Sequence, residues 1–284
     1  LTKIVDERGI ANNVRSYNIL DKAILSSNQG GNNKVTLAYL SSVTITATNT
    51  KAKTTTYGLG NILLQNSVIS ISGPGCPTCG GGNIASFSYN TAPFAIKSTT
   101  DRNGIKTDYK DFDSRGNYQT KVEAVGKPEE RTTTTTYHPT LNTPLTITVP
   151  SVLGAGNKVT TFDYDSDGND IPNETPGNLL RRKLEEGFTQ DAAGATIPFK
   201  YVTAYQYTAL GQMQQIDRPR TDVSDVTTMD YYTIVAGDPN SGMLHTAATP
   251  AGTTTYSNYY WNGNVGRIVD ANGVATDFTY DTRN

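Results

Sequence analysis

The chain has 284 residues, enough for one large domain or two small ones, and its mean hydropathy of −0.46 is lean for a packed globule. Its 24 basic and 26 acidic residues nearly cancel and nothing in them resembles the clustered basic face of a nucleic-acid binder, and no apolar run is long enough to span a bilayer. With 26 Gly, 17 Tyr and abundant Thr, the composition favours many short strands joined by tight turns.

The N-terminus, Leu1-Thr2-Lys3-Ile4-Val5-Asp6, has no initiator Met, no charged n-region and no apolar h-region. It reads as a chain entered mid-pattern, a piece of something longer or a processed product. Residues 1–150 carry the weaker units of a repeat. Asp6-Glu7-Arg8-Gly9 leads to Tyr17-Asn18, and Thr55-Thr56-Tyr57 to Gly60-Asn61. The glycine-rich stretch from Gly73 to Gly82 reads as a loop or insertion. Beyond it come Ser88-Tyr89-Asn90, Asp101-Arg102-Asn103-Gly104, Phe112-Asp113-Ser114-Arg115-Gly116-Asn117 and Thr135-Thr136-Tyr137. Residues 151–284 hold clearer units, beginning with Tyr164-Asp165-Ser166-Asp167-Gly168-Asn169. Leu179 to Gly187 could form a short helix, but Phe188-Thr189 continues an alternating pattern and the segment is read as a strand. Steps from Tyr207 to Tyr232, Tyr256 and Tyr280 are 25, 24 and 24 residues.

One unit has a simple physics. Alternating Thr-x-Tyr puts aromatics on one face of a strand and hydroxyls on the other. An Asp-x-x-Gly turn supplies a carboxylate for backbone N–H groups and a Gly for positive φ. A lone hairpin cannot bury its apolar face, whereas stacked hairpins share one. The expected fold is all-β, with tandem hairpin repeats forming a large spiralling antiparallel sheet over residues 1–284, a single array.

Three constellations bear on chemistry. Cys76-Pro77-Thr78-Cys79 is flanked by glycines, so the helix of a redox site is implausible, and His138 and His245 are the only histidines for a zinc site. A local disulfide or two free thiols is the plainer reading. Asp163, Asp165, Asp167 and Glu174, with Gly168, match the calcium-loop pattern of carboxylates at its first, third and fifth positions, Gly at the sixth and Glu at the twelfth. Pro172 and Pro176 break any exiting helix, and the repeat itself places an acidic turn there, so a metal-free turn is the competing reading. No other cofactor is implied. Tyr259, Tyr260 and Trp261 offer a platform for stacking on glycan rings, against the plainer role of aromatic packing between strands. The carboxylate pairs Asp108/Asp111 and Asp222/Asp225 read as turn positions, and no nucleophile motif surrounds any Ser. No catalytic residue is expected.

Tyr164-Asp165 with Gly168-Asn169, Tyr207 with Gly211-Gln212, Asn262-Gly263, the run Ile268-Val269-Asp270-Ala271-Asn272-Gly273, and Tyr280-Asp281 together resemble the Rhs or YD-repeat family, which includes bacterial Rhs and Tc-type toxin shells and, distantly, teneurins. Tyr17-Asn18, Tyr57-Gly58 and Tyr89-Asn90 depart from it where Asp is usual. The resemblance implies a sheet that spirals into a hollow shell around a C-terminal effector, in a secreted or cell-surface bacterial protein. It makes this chain wall and not cargo, partnered by more of a larger YD-repeat chain, further copies, an enclosed toxin domain or a cell-surface glycan. An adhesive or filament-forming protein that pairs through open strand edges is the alternative. A carbohydrate-active β-solenoid enzyme is a third reading, separable by activity on glycans after the Asp pairs are substituted.

Overall fold

The computed structural model describes residues 3–5, 11–28, 33–73, 84–154, 156–165 and 177–281, with side chains from residue 14 onward. Among them all regular structure is strand, in 22 segments, and the expectation of an all-β array of antiparallel hairpins is borne out. The chain divides into two units, 1–134 and 135–284.

Unit 1 runs through β1 (Lys3–Val5), β2 (Ala11–Tyr17), β3 (Ala23–Ser27), β4 (Val35–Ser41), β5 (Thr44–Asn49), β6 (Thr54–Ile62), β7 (Gln65–Ser72), β8 (Ile84–Thr91), β9 (Phe94–Thr100), β10 (Lys106–Phe112) and β11 (Tyr118–Glu123), and ends in the first half of β12 (Arg131–Tyr137). Each strand pairs antiparallel with its neighbour in sequence, so the unit is an open meander. Thr-rich strands meet as planned by their alternation. The hydroxyls of Thr48 and Thr54 lie 2.8 Å apart across β5 and β6, and those of Ser88 and Ser98 2.7 Å apart across β8 and β9.

Unit 2 continues with β13 (Pro144–Pro150), β14 (Asn157–Asp163), β15 (Arg182–Gln190), β16 (Thr196–Tyr207), β17 (Met213–Asp217), β18 (Thr227–Tyr231), β19 (Leu244–Thr249), β20 (Gly252–Ser257), β21 (Arg267–Val269) and β22 (Ala275–Asp277). Its pairings from β13 to β22 again follow chain order. The segment read as a strand over 179–187 is strand from Arg182 onward, as β15, with Leu184 buried on one face and Lys183 and Glu185 half-buried and ion-paired on the other.

The turns follow one design. In Asp101–Ile105, Asp113–Asn117, Asp191–Ala195 and Asp270–Val274 the Asp carboxylate accepts two backbone N–H groups, from two and four residues on. The fourth residue is a Gly with φ between +77° and +90°. This is a type I turn closed by a left-handed residue, the geometry for which Asp and Gly are suited. At Asn18–Lys22 and Asn49–Lys53 the same bonds form from Asn, but Asp21 and Ala52 stand in the left-handed position, each at φ +56°.

Candidate functional site

The repeating interaction is a tyrosine aimed at a β-bulge. A bulge sets two residues of one strand against one of its partner and leaves ladder groups without their regular mates. In β16 the register slips between Gln206 and Tyr207, and Tyr207 comes to face Met213. The Met213 carbonyl then accepts the hydroxyl of Tyr231, from the next strand, at 2.7 Å. Tyr231 stands beside the next slip, facing Leu244, whose carbonyl takes the Tyr259 hydroxyl at 2.8 Å. Unit 1 does the same. Ala23, across the slip at Tyr17, accepts from Tyr39 at 3.0 Å, and Val68, across the slip at Leu59, accepts from Tyr89 at 2.7 Å. At these four slips the carbonyl across the bulge is occupied by a later tyrosine. Burial pushes the hydroxyl pKa of Tyr207, Tyr231, Tyr232 and Tyr259 upward.

A second feature is a buried polar node in unit 2. Asp163 is 0% exposed and ends β14. Its Oδ2 accepts from Arg182 Nε at 2.8 Å and Nη2 at 2.7 Å, and its Oδ1 accepts from the Asp165 backbone N–H at 3.0 Å. The fork geometry suits a buried carboxylate, since desolvating a charge is costly unless its lone pairs are met. Beside it His138 is 1% exposed. Its Nδ1 accepts the Leu141 N–H at 3.1 Å and its Nε2 meets the Gly177 carbonyl at 3.0 Å, which fixes the proton on Nε2. The Tyr164 ring packs edge-on against the imidazole, centroids 5.2 Å apart.

The predicted residues fall unevenly on this framework. Asp163 and Asp165 of the calcium-like loop are adjacent and buried, with both Asp163 oxygens taken by protein donors. Asp167, Glu174, Cys76 and Cys79 lie outside the described residues. Tyr259 and Tyr260 donate their hydroxyls to the carbonyls of Leu244 and Phe278, while Trp261 is 76% exposed. Three of the four paired carboxylates are engaged locally. Asp108 pairs with Lys106 and Asp222 with Arg220, and Asp225 accepts the backbone N–H groups of Arg218 and Arg220. The tyrosine–bulge pairing was not anticipated. Its trace in the sequence is the tyrosine spacing, but of the series Tyr207, Tyr232, Tyr256 and Tyr280 it is Tyr207 that stands at a slip, the donors Tyr231 and Tyr259 lie outside the series, and Tyr232 donates to the Tyr256 carbonyl instead.

No protein-family model matches the sequence, and no curated protein matches it. Among solved structures 24 chains match. One, titled "Crystal Structure of TcdB2-TccC3", is 11% identical with a TM-score of 0.42, over 97% of this chain and 16% of that one. This chain therefore spans a small part of that chain's length.

Proposed function

We propose that the chain is a structural wall segment, a β-repeat scaffold of a secreted or contact-delivered bacterial Rhs-type protein that encloses or displays a C-terminal effector. The observation that carries this is the relay from Tyr207 through Met213, Tyr231 and Leu244 to Tyr259, in which each hairpin's irregularity is completed by a later one. Such a device stabilises an array by nearest-neighbour contacts, as solenoid-like scaffolds require, and commits its polar groups to holding register. The work assigned to the chain is mechanical, and its partners are further YD-type repeats and the cargo they surround. The test is the denatured mass of the protein from its natural source, with protease added before and after unfolding. A mass far above 30.6 kDa with a C-terminal portion protected only while the sheet is folded is the expected result. A species near 30.6 kDa that assembles with itself would replace this reading by the adhesive or filament one.

A further inference from the structure

An antiparallel meander delivers its turns alternately to two rims of the sheet. In unit 1 the β2–β3, β4–β5, β6–β7 and β8–β9 turns share one rim, and the β5–β6, β9–β10 and β11–β12 turns lie on the other. The rims differ in chemistry. The second displays Asn49 to Lys53, Asp101 to Gly104 and Lys127 to Glu130, with Ile84 and Ile105 exposed at adjoining strand ends. On the first, each of four successive tips holds large apolar side chains in water: Ile19 and Leu20, Leu40 and Val43, Leu63 and Leu64, then Phe94. Ile19 is 100% and Leu64 94% exposed. A fifth tip on this rim, Asp113 to Asn117, is polar and ends the row.

The β6–β7 tip is the most informative. Ile62 pairs with Gln65, so Leu63 and Leu64 form a two-residue loop, at φ +50° and +65°. A loop with both residues at positive φ selects Asn-Gly. Leucine at both positions is opposed by the backbone and by water alike, and neither opposition serves folding.

We propose that this rim of unit 1 docks on an electrically neutral lipid surface, its tips dipping apolar side chains beneath the headgroups. Successive tips stand about 10 Å apart, two strand spacings, with Asn18, Ser41, Asn61, Asn66, Asn90 and Thr91 around them. These are separate apolar fingers with polar gaps. A fluid acyl layer accepts them without shape complementarity, whereas a protein interface needs a continuous packed core. Charge points the same way. The only ionisable turn residues on the four tips are Asp21 and Lys22, which cancel, so the amides and hydroxyls meet zwitterionic headgroups with no excess charge to match.

Sedimentation of the purified chain with phosphatidylcholine vesicles tests this. The chain is expected to pellet with the vesicles, equally in low and high salt. Replacing the strained pair, Leu63→Asn with Leu64→Gly, installs the residues the turn prefers, so the melting temperature holds or rises while vesicle affinity falls at least about tenfold. Lys51→Ser with Lys53→Ser on the opposite rim leaves affinity unchanged. The proposal is overturned if the wild-type chain stays in the supernatant, or if the Leu63/Leu64 variant pellets as well as wild type. It is also overturned if the wild-type chain self-associates without vesicles and that variant does not, which would assign the row to contact between copies.

Discussion

Asp113 illustrates what a single turn residue contributes. Its Oδ2 accepts the Asn117 side-chain N–H at 3.0 Å, and its Oδ1 accepts the backbone N–H groups of Arg115 and Asn117. Foremost the Asn117 side chain, with those backbone bonds and Arg115, holds the carboxyl down from 3.8 to about 2. The unfolded chain therefore takes up this proton first, so the turn's contribution is complete above about pH 4 and is lost as pH falls towards 2. In Asn117→Ala the carboxyl should titrate nearer 3.8, read by NMR of the Asp113 side-chain carbonyl. Backbone strain is testable in the same turns. Ala52, at φ +56°, should gain about 1 kcal/mol of stability on Ala52→Gly, measured by chemical denaturation. Gly104→Ala should lose a similar amount, since φ is +77° and no atom lies near enough for the new methyl to clash. If Gly104→Ala proves neutral, the left-handed requirement assigned to this turn is wrong.

At the scale of elements, the tyrosine tie and the ion pair join strands in different ways. Tyr231→Phe keeps the ring and removes only the hydroxyl, leaving the Met213 carbonyl without that partner, and should destabilise unit 2 by about 1–2 kcal/mol in a denaturant titration. An unchanged midpoint would mean that the carbonyl finds water at no cost. Arg182 joins β15 to the end of β14 through Asp163, so Arg182→Met takes the cation from a fully buried carboxylate and should cost about 3 kcal/mol or more. Asp163→Asn in the same background should recover part of it. Legibility in the sequence also divides by element. Asp101-Arg102-Asn103-Gly104 and Asp270-Ala271-Asn272-Gly273 announce their turns because the bonding is local, within five residues. The ties from Tyr231 to Met213 and from Tyr259 to Leu244 depend on where a register slips, and a slip has no local signature. The His138 environment was equally hidden, because Gly177 is 39 residues away. The Leu63-Leu64 turn was missed for the opposite reason: its residues argue against the conformation they adopt.

For the molecule as a whole, the core is thin. Among the described residues only Val122, Tyr164 and Leu184 are buried apolar side chains, so much of the stability must rest on hydrogen-bonded register and half-buried aromatics. Alkaline conditions probe this directly. Burial first, with Asp238 second for Tyr232 and the nearby hydroxyls of Tyr232 and Tyr256 second for Tyr259, raises four hydroxyls of unit 2 above their usual value of 10.0. A raised pKa means the unfolded chain releases these protons first. Unit 2 should hold its stability below about pH 10 and lose it as pH climbs beyond, seen as a falling denaturation midpoint. A midpoint that stays level through this range would show the hydroxyls to be dispensable. The relay also governs how such a chain can change over generations. Because these four acceptor carbonyls are met by a tyrosine from a later hairpin, duplication or loss of a whole hairpin rejoins donor to acceptor, while insertion of a single residue within such a strand severs the link that crosses it. Gene lengthening should therefore proceed in steps of about two dozen residues, and lineages should differ by unit number before they differ by strand length.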